Sequence, residues 1–111
     1  MLPKIYRLNV KNFYHNTHTQ RIIRERFCEI RIKNHETQSP KLAVTVPKVI
    51  EKRAVYRNRT RRLIYEWAYP ILSKSTQPLD VVVRPKKIIL KGTEDEAKLF
   101  YTRIFNLIFH P

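Results

Sequence analysis

The sequence predicts a single mixed α/β domain, and three observations carry that prediction. The chain has 111 residues, which gives room for one hydrophobic core rather than two. Short β-branched runs, Leu42 to Pro47 and Leu79 to Pro85, stand well apart in the chain, as strands of one sheet do. Two longer stretches, Lys52 to Tyr69 and Thr93 to Ile108, place their apolar residues at helical spacing.

Each element follows from its residues. Val10 to His15 reads as a short helix. Arg26 to Lys33 mixes Phe27, Ile30 and Ile32 with Glu29 and Arg31, the pattern of a strand with one wet face. Asn34 to Pro40 is its turn. Leu42 to Pro47 is a second strand, closed by a proline that has no N–H to give a ladder. Lys52 to Tyr69 contains neither Gly nor Pro. At about 100° per residue its Tyr56, Thr60, Leu63, Ile64 and Trp67 fall on one side, and Pro70 is expected to end or kink it. Val81, Val82 and Val83 in succession imply a strand buried on both faces in the middle of a sheet. Gly92 breaks the chain before the last helix. There Thr93 offers an N-cap, Glu96 a capping box, and Glu94, Asp95 and Glu96 a favourable charge for the helix dipole. Ala97, Phe100, Ile104 and Leu107 or Ile108 then recur at helical spacing.

Charge bounds the partners. Lys and Arg number 23 against 9 Asp and Glu, a formal net of +14, and a polyanionic partner would relieve that self-repulsion. With 42% hydrophobic residues the chain is a packed domain and not a disordered basic tail. Its longest apolar runs are a few residues, far below the roughly 20 that span a bilayer, so no transmembrane helix is expected. Met1 to Asn9 has no apolar h-region, so no secretion signal is expected either. Cys28 is the single cysteine, with no partner for an internal disulfide or a thiolate zinc site; a reducing, cytoplasmic setting fits.

The chemistry concentrates between Lys48 and Arg62. Seven basic residues stand there, Lys48, Lys52, Arg53, Arg57, Arg59, Arg61 and Arg62, with Glu51 as the single acid. On the helical wheel Asn58, Arg59, Arg61 and Arg62 spread opposite Tyr56, Thr60, Leu63 and Trp67, so one face enters the core and the other presents guanidinium groups and an amide. Guanidinium forks donate in pairs to phosphate oxygens, and Asn58 can bridge to a ribose hydroxyl or a base edge. A plain solvated face is the competing reading. It fits poorly, because the like charges Arg57 with Arg61 and Arg59 with Arg62 stand at spacings that destabilise an isolated helix. Other chemistry is not expected. His15 and His18 lack metal-binding neighbours and read as surface residues, and Glu94 to Glu96 have a structural role at a helix start. A chain whose only glycine is Gly92 holds no dinucleotide fingerprint, P-loop or nucleophile elbow. No catalytic residue and no metal site is assigned to the protein.

The run Ala54-Val55-Tyr56-Arg57-Asn58-Arg59-Thr60-Arg61-Arg62 resembles the Ala-Val-x-Arg-Asn-Arg-x-Lys/Arg-Arg signature of the bacterial ribonuclease P protein. Its surroundings are similar too: an Arg-Leu before a short helix, a strand pair, a valine-rich strand with Asp80 before it, and a closing helix. The resemblance implies one domain over residues 1–111, an α/β (α+β) two-layer sandwich with αβββαβα topology and a left-handed βαβ crossover, like domain 2 of ribosomal protein S5. The handedness rule alone would have rejected that crossover. A third strand before the signature helix is placed at Gln20 to Arg24 by this analogy only.

The resemblance also implies a function. The protein would bind ribonuclease P RNA through Lys48, Lys52, Arg53, Arg57, Asn58, Arg59, Arg61 and Arg62, and the 5′ leader of precursor tRNA through an aromatic cleft. Catalysis and the Mg²⁺ would belong mainly to the RNA, with no membrane and no protein partner required. Where the family usually has Ser-Lys-Lys before the helix, this chain reads Pro47-Lys48-Val49, and only Lys48 carries over. Phe13, Tyr14 and Phe27 are the candidate leader contacts. For Phe27 core is the favoured reading, and Phe13 stands between the two. Thr17 and Ile30 occupy places where the family usually has aromatics, which Tyr14 or Tyr6 could offset. A ribosomal-type structural RNA-binding protein is the alternative, and a self-sufficient nuclease would need clustered acids or a His pair that the sequence does not offer.

Overall fold

Three consecutive valines can all be buried only where a strand is covered on both faces and flanked on both edges. Val81, Val82 and Val83 have that place: β4 (Leu79–Pro85) runs inside a four-stranded sheet. The computed structural model describes residues 2–15, 21–34 and 39–109. After a short 3-10 turn at Lys4–Tyr6 come α1 (Val10–His15), β1 (Arg21–Arg24), β2 (Cys28–Asn34), β3 (Lys41–Val44), α2 (Ala54–Leu72), β4 and α3 (Glu94–Phe109). This is the αβββαβα order. The sheet order is β1-β2-β4-β3, with β2 antiparallel to both neighbours and β3 parallel to β4, so α2 is the crossover between two adjacent parallel strands. Gln20 of the strand placed by analogy, residues 35–38 of the expected turn, Thr17 and His18 lie outside the described residues.

The two faces of the sheet are read directly from the register, because side chains alternate along a strand. Cys28, Ile30, Ile32, Leu42, Val44, Leu79, Val81 and Val83 point to one face, where α2 supplies Ile64, Ala68 and Leu72 and α3 supplies Phe100, Tyr101, Ile104, Phe105, Ile108 and Phe109. Each such side chain removed from water stabilises by roughly 1.5–3 kcal/mol. The opposite face carries a second, smaller cluster, Phe13 of α1 on Ala43 and Val82, with Leu8 and Val10 beside it. The outer edge of β3 is closed: the Val44 N–H donates to the Tyr65 hydroxyl at 2.9 Å, and the Leu8 N–H to the Leu42 carbonyl at 3.2 Å. At the other edge β1 bears Arg21 and Arg24, charges that discourage pairing with another chain.

Four local expectations are corrected. The helix starts at Ala54 rather than Lys52, and it continues through Pro70 to Leu72. In the last turn the proline forfeits only one N–H, while burial of Ile71 and Leu72 holds the turn in place. The buried stripe is Thr60, Ile64, Ala68 and Ile71; Tyr56 is exposed, and its ring lies 4.2 Å beneath the Arg53 guanidinium. At the start of α3 the carboxylate that reaches back belongs to Glu94, which accepts the Gly92 N–H at 2.8 Å, and the Thr93 hydroxyl donates to the Leu90 carbonyl at 2.7 Å. Gly92 has φ +92°, a conformation that suits glycine.

Candidate nucleic-acid interface

The β3–α2 loop and the first turns of α2 form one locked unit. Lys48 and Lys52 are exposed on the loop. Arg53 grips Glu51 with a guanidinium fork, Nε to Oε2 at 2.9 Å and Nη2 to Oε1 at 3.0 Å, and its backbone N–H donates to Oε2 at 3.0 Å. These hydrogen bonds, the guanidinium's first, pull the Glu51 carboxyl down to about 2. Arg57 turns back and donates from Nη1 to the carbonyls of Glu51 and Lys52, at 2.9 and 2.7 Å. The single acid of the window is thus neutralised locally, and two arginines hold the loop in shape.

Arg59 does not lie on the free face where the wheel places it. One helical step of about 100° from Asn58 carries it toward Thr60, and both residues reach the segment before α3. Thr60 accepts the Ile89 N–H at 3.0 Å, the Arg59 Nη1 donates to the Ile89 carbonyl at 2.6 Å, and Nη2 pairs with the Glu94 carboxylate. The Glu94 carboxyl is held below its ordinary value, mainly by its own backbone N–H and that of Gly92, and then by Arg59. Arg59 is therefore a strut between α2 and α3. Arg61 donates to the Asn58 side-chain oxygen, and Arg62 stands 63% exposed with only a loose contact to Glu66 at 3.9 Å. Asn58, Arg59, Arg61 and Arg62 still border one open depression, together with Val55 and Tyr65.

The second basic surface is the sheet face beneath α1, and it differs from the aromatic cleft expected. Phe13 is 2% exposed, with the buried Lys33 ammonium 4.5 Å from its ring and hydrogen-bonded to its carbonyl. Phe13 is core in this fold, and its ring is not available to a nucleotide. Phe27 packs on the other side of the sheet, edge-on to Phe100 at 4.9 Å, with Lys87 4.5 Å and Arg26 5.3 Å from its ring. Ile30 also faces the main core, so it is not the cleft position taken from the family. Tyr6 sits against Tyr69 at 6.1 Å, at the far end of α2. Of the aromatic candidates only Tyr14, 45% exposed and edge-on to Phe13 at 5.1 Å, faces the cleft.

The cleft residues of the strands are instead charged. Register sets Ile22, Arg31, Val82 and Ala43 in one row across this face and Arg24, Glu29 and Arg84 in the next. Arg31 pairs with Glu29 at 3.3 Å, and its guanidinium carbon lies 5.9 Å from the Tyr14 ring centre. Its Nε–H is buried and meets no acceptor among the described residues, an omission that ordinarily costs about 1–3 kcal/mol. An open groove lined by Tyr14, Val44 to Pro47, Arg61 and Arg84 joins this cleft to α2. Arg31 and Arg84 were missed in the sequence; the alternation of Cys28, Ile30 and Ile32 with Glu29, Arg31 and Lys33 was the signal that could have found them.

Other chemistry finds little support. Among the described residues no three of His, Cys, Asp and Glu gather where they could hold a metal ion. The Cys28 thiol is buried, and that burial pushes it up to about 12. No helix among the described residues is long and apolar enough to cross a membrane.

Comparison with known proteins gives one family. The family model described as Ribonuclease P matches residues 2–107. No curated protein sequence matches the chain. Among solved structures, the RNase P protein from Thermotoga maritima superposes with a TM-score of 0.69 at 16% identity, covering 95% of this chain and 96% of that one. A Staphylococcus aureus RNase P protein mutant with defective mRNA degradation activity gives a TM-score of 0.70 at 20% identity, covering 95% and 88%. At these identities the likeness is one of fold.

Proposed function

The chain belongs to the ribonuclease P family and has a subunit's role in tRNA 5′ processing, and from that premise we propose that it binds the catalytic RNA through α2 and the single-stranded 5′ leader of precursor tRNA across the sheet cleft. Association with ribonuclease P RNA follows from the family; the leader contact and the division of labour are the proposal. The observation that carries it is the outward set Lys48, Lys52, Arg61 and Arg62, cations whose local acid is already engaged by Arg53, with the Asn58 amide among them.

Electrostatics gives the mechanism. Ribozyme and substrate are both polyanions and repel unless counter-ions screen them. A subunit of net charge +14 between them supplies fixed positive charge, so less free Mg²⁺ is needed. The endonucleolytic step and the Mg²⁺ it uses belong to the RNA in this reading, and the protein holds and orients. In this reading the protein acts in the cytoplasm and requires no protein partner. The ribosomal alternative is not favoured, because the family match spans residues 2–107.

The test incubates labelled precursor tRNA with protein, with cognate ribonuclease P RNA, and with both, across a Mg²⁺ series. Protein alone should cleave nothing, and protein added to RNA should lower the Mg²⁺ needed for cleavage at the mature 5′ end. Metal-dependent cleavage by RNA-free protein, or no gain at low Mg²⁺, would overturn the reading.

A further inference from the structure

Arg31 is a cleft residue whose hydrogen bonding is incomplete among the described residues. Its Nη2 is shared with Glu29 at 3.3 Å, while its Nε–H is enclosed and without an acceptor among the described residues. The groups that share its face are Glu29 and Lys33 on its own strand, Ile22 and Arg24 on β1, Asp80, Val82 and Arg84 on β4, and Tyr14 from α1; Lys33 and Asp80 face each other in the row on the far side of Arg31 from Arg84. Arg84 lies one row away, a separation of about 6.6 Å along the strands. Glu29 is the only acid in these two rows, against three arginines. A guanidinium that is 23% exposed and has an unpartnered Nε–H, a second guanidinium one row on and a half-exposed aromatic ring suit a phosphate with its adjacent unpaired base. They do not suit a duplex, which hides its base faces.

Resting on the reading of the cleft as the leader site, we propose that Arg31, with Arg84 beside it, is the leader's phosphate contact, and that Tyr14 is the platform for the neighbouring base. The leader is then held here chiefly through its backbone. A cleft lined with aromatics would hold bases by stacking, with little dependence on salt. This one should discriminate weakly among leader sequences and lose its hold steeply as salt rises. The groove past Arg84 to Arg61 makes the leader path continuous with the α2 face. Glu29 competes with the phosphate for the same guanidinium.

The test reconstitutes the holoenzyme with its cognate RNA and measures the affinity for precursor tRNA with a single-stranded leader and for the same tRNA without one. Wild-type protein should bind the leader-bearing substrate more tightly. Arg31→Gln should remove about tenfold of that leader increment, leave the leaderless tRNA unchanged, and lower the salt slope by about 0.7. Glu29→Gln should enlarge the increment. With wild-type protein, neutral methylphosphonate linkages placed singly along the leader should identify one linkage whose loss of charge reproduces the Arg31→Gln effect, with no further loss in the variant. A wild-type increment that survives Arg31→Gln, an equal loss on both substrates, or a leader in which no single linkage matters would overturn this assignment alone. Absence of any leader increment in wild type would overturn the leader reading itself, and this assignment with it.

Discussion

Two basic surfaces meet at Arg61, and they use arginine in opposite ways. On the N-terminal half of α2, the arginines at 53, 57 and 59 are satisfied from within, by the Glu51 carboxylate, by the loop carbonyls of residues 51 and 52, and by the Ile89 carbonyl with the Glu94 carboxylate. In the sheet cleft, Arg31 is half satisfied and keeps a buried donor open. Residue type and charge are alike in both places; what differs is how many acceptors the fold brings within reach. A count of basic residues therefore overstates the charge that a partner can reach on α2, and it overlooks the cleft.

The contrast breaks first at Arg59. If it is a strut, Arg59→Ala should lower stability by about 1–2 kcal/mol, a charge-assisted hydrogen bond discounted for partial exposure, and should lower Tm by several degrees. Thermal unfolding monitored by circular dichroism checks this. An unchanged Tm with a large loss of RNA affinity would return Arg59 to the RNA contacts. Arg62→Ala should do the reverse: stability within about 0.5 kcal/mol of wild type, weaker RNA binding, and a salt slope reduced by about 1. Binding titrations at several salt concentrations read it, and a shift in Tm as large as that of Arg59→Ala would erase the distinction between the two arginines.

Much of this was legible in the sequence, and the misses share a physical cause. The buried valine strand, the α2 periodicity and the start of α3 follow from local pattern, because burial on two faces and helical spacing leave marks in consecutive residues. β1 left no such mark: Arg-Ile-Ile-Arg at an edge is mostly exposed, and it became visible only through the family resemblance. Pro70 misled because its local penalty was weighed without the burial of Ile71 and Leu72 that outweighs it. Phe13 stays open between cleft and core in the sequence, and Phe27 is only favoured as core, because an aromatic reads the same in either place; packing against Val82 in one case and Phe100 in the other decides it. Arg59 differs from Arg62 by where α3 begins in space, a tertiary fact that no helical wheel contains.

The smallest effect is the most diagnostic of how the strut is anchored. Glu94 and Glu51 both titrate below the ordinary carboxyl value, Glu51 at about 2 against 4.5. A carboxyl whose folded value is depressed contributes stability that is fully present above the unfolded value and is lost as pH falls through the folded one. The chain should therefore lose stability between about pH 4.5 and pH 2, and not near neutrality. Glu94→Gln keeps the shape and removes the titration, so its denaturation midpoint should lie slightly below wild type at pH 7 and approach it as pH falls. The Glu94 side chain is 33% exposed, so added salt should shrink the difference. Glu51→Gln should show the same convergence but should also loosen the Arg53 end of the loop, which RNA binding would register and Glu94→Gln would not. Midpoints measured from pH 2 to pH 7 decide it: if Glu94→Gln tracks wild type at every pH, Arg59 is anchored by the Ile89 carbonyl alone, and the strut works through a neutral acceptor rather than an ion pair.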